Sequence, residues 1–354
     1  HGWIANNAKE VKSVVSVPVY AIGRINDTRV ANAIIKSGKA DMVAMGRQSI
    51  ADPETPNKAA AGCFADIRTC VGCLHGCDAN VNLEQSGCEL NPIIGHESEA
   101  EYQTVMTDSP KNVLVIGAGP AGLEAAIGAA KRGHRVSVYD KDRWAGGKYR
   151  LASVPPCKGE LGAFIVWQMH ELKKLNVPVI LNTVVTKELV DSVKPDVIIA
   201  ATGTTPVVPR KIPGWDKDIV VLGTDVLSGK ANTGHNVVVI GGGHAGAETA
   251  KHIASYMKNV TIVELQEDIA MDEVDTPRNA LLADLEKNKV RVCASTSVSE
   301  IKDHSVVVSG KFNEEIECDT VVISIGHTPN TALADELIQA GYDVRIIGDA
   351  VKVG

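Results

Sequence analysis

Cys70, Cys73, Cys77 and Cys88 crowd one stretch of the chain in the pattern C-x-x-C-x-x-x-C, with a fourth cysteine after a longer gap. Thiolates gathered this closely can hold a soft metal centre, because a tight loop offers several anionic sulfurs without large rearrangement. The spacing suits a four-iron, four-sulfur cluster, while a zinc site or a redox dithiol are the competing uses. His75 could replace one thiolate in a zinc site. The remaining cysteines, Cys63, Cys157, Cys293 and Cys318, lack such spacing and are read as structural thiols.

Two glycine-rich turns follow. Gly117-Ala118-Gly119-Pro120-Ala121-Gly122 comes after the apolar run 113–116, and a helix is predicted over 123–131, then a strand over 136–139 ending at Asp140. Gly241-Gly242-Gly243-His244-Ala245-Gly246 repeats the plan between a strand at 237–240 and one at 260–263 ending at Glu264. The first two glycines of such a turn let backbone approach a pyrophosphate, whose charge meets a helix N-terminus. The third glycine permits close helix-strand packing. Asp140 and Glu264 each stand where an adenosine ribose would be gripped. Leu265 and Gln266 follow Glu264 with no basic residue beside them, so a 2′-phosphate would meet a carboxylate uncompensated and NADH is favoured over NADPH. The duplication implies two related Rossmann-like domains.

Other motifs say less alone. Thr202-Gly203 and Gly326 end apolar strands, and Asp349 follows a strand and a glycine, where a carboxylate can accept bonds from a polyol. His244 is expected to be placed by packing, and Glu248 to face either a nicotinamide or solvent.

These sites need elements to position them. A strand over 17–23, a helix over 27–37 and a strand over 40–46 form a strand-helix-strand unit, and both strands run into a Gly-Arg pair, Gly23-Arg24 and Gly46-Arg47. A glycine allowing close approach beside a cation suits a phosphate, as in the loops after the last two strands of an eight-stranded α/β barrel. Two such units cannot close a barrel alone. Residues 96–110 are polar and acidic, as expected of a linker.

Length and charge exclude other classes. The 354 residues suffice for two or three domains, contain no run apolar enough to span a membrane, and carry a net charge of −7 that argues against nucleic acid. No signal-like N-terminal segment is present, so a reducing, cytoplasmic setting is expected. The chain starts at His1 without methionine and stops soon after a cofactor-like motif, so truncation at both ends is expected.

Taken together, the motifs resemble the iron-sulfur flavoenzymes of the Old Yellow Enzyme superfamily, including 2,4-dienoyl-CoA reductase, 2-enoate reductase and trimethylamine dehydrogenase. The likeness covers essentially the whole chain. It rests on Ala21-Ile22-Gly23-Arg24-Ile25, Met45-Gly46-Arg47 with Ala51-Asp52-Pro53, the cysteine quartet ending in Cys88-Glu89-Leu90-Asn91-Pro92, and both glycine fingerprints. The resemblance implies an α/β chain: the last two strand-helix units of an FMN-binding (β/α)8 barrel at 1–60, an iron-sulfur segment and linker at 61–105, an FAD-binding domain at 106–230 resumed at 331–354, and an inserted NADH-binding domain at 231–330.

Carried over by motif, Gly23, Arg24, Gly46 and Arg47 would hold the FMN phosphate, and Cys70, Cys73, Cys77 and Cys88 would ligate the cluster. Gly117, Gly119, Ala121, Gly122, Asp140, Gly147, Val185 and Asp349 would contact FAD. Gly241, Gly243, Gly246 and Glu264 would hold NADH, with Thr202, Gly203 and Gly326 shaping the junction between the nucleotide domains. The resemblance implies electron flow from NADH to FAD, through the cluster to FMN, and onto an activated carbon-carbon double bond of an enoate, enoyl thioester or enone. The proton donor would lie upstream of His1. Rival readings are an amine dehydrogenase or demethylase of the same superfamily, and a diaphorase module feeding electrons to a partner. An intact second fingerprint favours the reductase. A small unsaturated molecule is the expected partner, a homo-oligomer is possible, and the chain alone, with a partial barrel, is expected to aggregate or stay loose and to be inactive on that substrate.

Overall fold

The computed structural model describes residues 1–78 and 87–353, which divide into two compact units. One comprises 1–105 together with 163–174, and the other 106–162 with 175–354.

In the first unit, Tyr20–Ala21 pairs in parallel with Met42–Val43, joined by the helix Thr28–Lys36. Asp27 caps that helix by accepting the Arg29 amide, and Ala31 and Ile34 turn inward against Ala5, Ala21, Ile25 and Ala40. The pairing spans only two residues of each strand, shorter than the predicted 17–23 and 40–46, and Gly46-Arg47 begin the helix Gly46–Ala51 instead of ending a strand. The described residues 67–78 and 87–99 form neither helix nor strand. They are held by side chains: Arg68 donates to the Leu90 carbonyl at 2.6 Å and lies over the Trp167 ring, 4.3 Å from its centroid. Trp167 belongs to the helix Gly162–Lys174, whose Phe164, Ile165, Trp167 and Leu172 are buried, and its Nε1 donates to the Asp66 carbonyl at 3.1 Å.

The second unit holds two five-stranded, wholly parallel sheets built on one plan. In the first, Asn112–Ile116 lies between Val197–Ala200 and Arg135–Tyr139, with Val344–Ile346 and Val179–Ile180 at the edges. In the second, Asn236–Ile240 lies between Thr320–Ile323 and Asn259–Val263, with Val220–Leu222 and Arg291–Cys293 outside. Strands covered on both faces read as continuous apolar runs, which is why these central segments were legible. A three-stranded antiparallel sheet, Thr296–Ile301, Ser305–Gly310 and Glu314–Glu317, packs its apolar face against the second sheet through Ile301, Val306, Val308 and Ile316. The chain passes between the two halves along Thr204–Pro206 and His327–Pro329, an antiparallel ribbon. Thr202 Oγ1 donates to the Asn330 carbonyl at 2.6 Å, and the Val207 amide donates to Gly326 at 3.0 Å, so Thr202, Gly203 and Gly326 sit at this crossing.

No helix among the described residues is long and apolar enough to cross a membrane.

Candidate functional site: a cysteine cavity and two nucleotide turns

Both glycine turns obey the same close-approach logic. A Cβ on Gly117 would lie 2.2 Å from the Ala201 carbonyl oxygen, and one on Gly241 2.2 Å from that of Ser324. The third glycines, Gly122 and Gly246, would place a Cβ 2.0 Å and 2.1 Å from the carbonyl oxygens of Gly117 and Gly241. Only glycine lets strand, turn and helix meet here. The acids repeat too: Asp140 Oδ2 accepts the Ala118 amide at 2.6 Å, and Glu264 Oε2 accepts the Gly242 amide at 2.6 Å.

The two turns differ in what faces the phosphate position. Nothing lies within 4 Å of a Cβ built on Gly119, leaving an open cradle at the helix Pro120–Lys131 that fits a pyrophosphate. Gly147 backs onto it, its Cβ position 3.4 Å from Gly119 Cα, and a Cβ built on Gly348, next to Asp349, would lie 2.8 Å from Ala121 Cβ. Val185 is buried beside Leu114 and Ile116 in the core under this turn. At the second turn Asp272 Oδ1 accepts the His244 amide at 2.7 Å, so this chain's own carboxylate caps the helix His244–Ala254. A nucleotide phosphate bound here would need the same amide and would compete with Asp272 for it.

The partners of several residues escaped the sequence. Glu248 is buried, not solvent-facing: Lys158 Nζ lies 2.5 Å from its Oε1, and His244 Nε2 3.1 Å from the same atom. His244 also reaches Glu273 Oε2 at 2.9 Å. Burial alone would depress the imidazole, but Glu248 and Glu273 outweigh it and raise its pKa to about 9. Burial acts to raise Glu248, yet His244 and Lys158 hold it below the ordinary carboxylate value. On the first half, Lys148 hydrogen-bonds Thr204 Oγ1 and is pushed down to about 8, chiefly by burial, against the opposing pull of Asp349. Lys148 directly follows Gly146-Gly147, so its place beside the first nucleotide turn is signalled by that glycine pair.

In the first unit, Cys70, Cys73, Cys77 and Cys88 line one cavity with Arg47, Ile50, Val71, Gly72, Leu74, Gly76 and Leu90. All four are free thiols and half-buried. Burial raises Cys70 and Cys77, and burial with nearby Glu89 pushes Cys73 up to about 12. Converging soft donors in an apolar pocket fit a metal centre, whose positive charge would offset the cost of ionising them. His75 Nδ1 instead lies 2.7 Å from Glu89 Oε1. Gly23-Arg24 and Gly46-Arg47 follow the two parallel strands; Arg24 Nη2 donates to the Val71 carbonyl at 2.9 Å. Cys293 and Cys318 are buried, as structural thiols should be, but Cys63 and Cys157 are exposed, which corrects that reading for these two. Asp66, His170 and Glu171 gather ligand-type atoms within 4.8 Å, but Lys174 bonds both carboxylates and makes this an internal ion-pair network.

Residues 111–348 match the pyridine nucleotide-disulphide oxidoreductase family, and residues 3–65 match the NADH:flavin oxidoreductase / NADH oxidase family. The chain is 39% identical over 368 residues to an NADH oxidase of Thermoanaerobacter brockii, covering 100% of this chain and 55% of that protein. It is 37% identical to a cinnamate reductase of Clostridium sporogenes, covering 97% of this chain and 52% of the relative. Among solved structures, a 2-naphthoyl-CoA reductase complex superposes with a TM-score of 0.95 at 32% identity over 100% of this chain and 54% of its own. A 6-hydroxypseudooxynicotine amine oxidase from Pseudomonas geniculata N1 superposes at 0.91 with 29% identity, over 100% of this chain and 56% of its own. The chain thus spans about half the length of these relatives. Paired nucleotide turns, a four-thiol cavity and these matches together establish that the chain belongs to the iron-sulfur flavoenzymes of the Old Yellow Enzyme superfamily.

Proposed function

We propose that this chain is the NADH-input and electron-transfer portion of a flavin and iron-sulfur reductase acting on an activated carbon-carbon double bond. The observation that carries this reading is the intact second nucleotide turn, with Gly241, Gly246 and Glu264 geometrically equivalent to Gly117, Gly122 and Asp140 of the first. FAD at the first turn, a four-iron cluster at the cysteines and FMN at a barrel end would supply the passage from two-electron to one-electron chemistry and back.

The residues have separable tasks. Gly117, Gly119 and Gly122 let the first helix approach a pyrophosphate, and Asp140 fixes the turn and meets a ribose. Gly241, Gly243, Gly246 and Glu264 do the same for NADH, and the carboxylate disfavours a 2′-phosphate. Lys158 and Glu248 join the two nucleotide halves, holding the second helix against the segment 153–161. Gly23 and Arg24 follow the strand Tyr20–Ala21, and Gly46 and Arg47 open the helix Gly46–Ala51 after the strand Met42–Val43; if these strands belong to a barrel, the four residues would hold an FMN phosphate.

The amine oxidase likeness supports a second reading, outward flow from an amine to an acceptor protein. An intact NADH turn favours the inward direction. Anaerobic incubation of the holoprotein with NADH and cinnamate, an enone or an enoyl thioester, with product identified by mass, tests the reading. Gain of two hydrogens across the double bond is expected, and amine oxidation without NADH-dependent reduction of any of these would overturn it.

A further inference from the structure

The cysteine loop is gripped by side chains from the segments that follow the two strands, Gln48 among them from the helix Gly46–Ala51. Asn26 Nδ2 donates to the Cys70 carbonyl at 2.7 Å, Gln48 Oε1 accepts the Cys70 amide at 2.8 Å, and Arg24 Nη2 donates to the Val71 carbonyl at 2.9 Å. Asn26 and Gln48 are buried, so these contacts fix the loop. Arg24 goes further. Gly72 stands between Cys70 and Cys73 at φ +69°, and a Cβ there would lie 2.5 Å from Arg24 Nη2 and 2.8 Å from its Cζ. The guanidinium occupies the space a side chain would need. Arg47, half-buried, lines the cysteine cavity itself together with the apolar side chains of Ile50, Val71, Leu74 and Leu90.

We propose that Arg24 and Arg47 poise the reduction potential of the cluster held by Cys70, Cys73, Cys77 and Cys88, raising it by charge rather than by ligation. The inference rests on the reading of these cysteines as cluster ligands. Reduction adds one electron to a centre already surrounded by thiolates, and the reduced form gains more from a nearby cation than the oxidised form does. The apolar side chains limit the water that would screen the interaction. Arg47 faces the cavity directly and should act more strongly than Arg24, whose guanidinium reaches the loop from a more exposed position. The Gly-Arg pairs would then serve two cofactors, a phosphate on one side and the cluster on the other.

The test is potentiometry of the anaerobic holoprotein, following the reduced-cluster signal by electron paramagnetic resonance, for wild type, Arg24→Gln, Arg47→Gln and Arg47→Lys. Arg47→Gln should shift the one-electron equilibrium roughly tenfold toward the oxidised cluster, about 59 mV. Arg24→Gln should shift it less in the same direction, and Arg47→Lys should stay near wild type. An unchanged midpoint in both glutamine variants, or an Arg47→Lys midpoint as low as that of Arg47→Gln, would overturn the poising role. Loss of iron from both glutamine variants would also overturn it, making the arginines loop scaffolds. Wild-type protein carrying zinc and no acid-labile sulfide would instead overturn the cluster reading itself, an outcome that metal and sulfide analysis separates from a null shift.

Discussion

Glu264 accepts the Gly242 amide at 2.6 Å, tying the end of the strand Asn259–Val263 back to the turn that begins the preceding helix, His244–Ala254. Its other oxygen accepts the Gln266 amide at 2.7 Å, so the carboxylate is oriented before any nucleotide arrives. Replacing it with serine removes charged hydrogen bonds of about 1.5–3 kcal/mol together with the ribose contact. We expect Glu264→Ser to raise the KM for NADH roughly ten- to a hundredfold, with a smaller effect on NADPH. Steady-state reduction of ferricyanide by each nucleotide checks this.

Asp272 caps the amide of His244 where a phosphate oxygen would bind. Removing its charge leaves the helix N-terminus less satisfied in the free protein and lowers competition with an incoming anion. Asp272→Asn should bind NADH about two- to fivefold more tightly, in line with about 0.3–1 kcal/mol for a charge at a helix end. Equilibrium dialysis against NADH measures it, and weaker binding would assign Asp272 to the nucleotide site as a supporting group.

The ion pair of Lys158 with Glu248 is mostly buried, with the lysine side chain 27% and the glutamate 9% exposed. Lys158→Met leaves the carboxylate facing His244 alone and should cost about 3 kcal/mol, the scale for breaking a buried pair. The double variant with Glu248→Leu should recover part of that loss. Denaturant titration of the four corners of the cycle gives the coupling.

His244 gives the second half a pH dependence. Its folded pKa of about 9 lies above the ordinary 6.5, so the folded protein holds the proton more tightly than the unfolded chain. That stabilisation is fully present below about pH 6.5 and is lost as pH rises through about 9. Lys148, depressed to about 8 from 10.5, acts oppositely: its burial weighs most against the fold below about pH 8 and is relieved toward pH 10.5. Melting curves of His244→Gln and Lys148→Met across pH 6–10 should separate the two slopes.

Much of this was legible because the chemistry is local. Each fingerprint sits within one strand-turn-helix, and its first and third glycines are dictated by the 2.0–2.2 Å approach a Cβ there would make to a carbonyl oxygen. The predicted runs at 113–116 and 237–240 are the centres of their sheets. What escaped is long-range. Lys158 meets Glu248, and Glu273 meets His244, across separations that no motif spans. The apolar helix Gly162–Lys174 announces a buried face, but nothing in its pattern says that Trp167 packs under Arg68 beside the cysteine segment. Exposure of Cys63 and Cys157 was equally hidden, since a cysteine in a short connecting segment reads like one in a core.

Native-state alkylation should therefore modify Cys63 and Cys157 and spare Cys293 and Cys318, which are buried, with the Cys318 thiol pushed up to about 11 by that burial. Peptide mass mapping before and after denaturation would show the difference.

The central claim is that electrons from NADH enter this chain and reach its cluster. Anaerobic titration of the holoprotein with NADH, recorded by absorbance and by electron paramagnetic resonance, tests it directly. Stepwise bleaching of flavin with appearance of a reduced-cluster signal, weaker with NADPH, is the expected result. An intact flavin and cluster that both stay oxidised under excess NADH would contradict it.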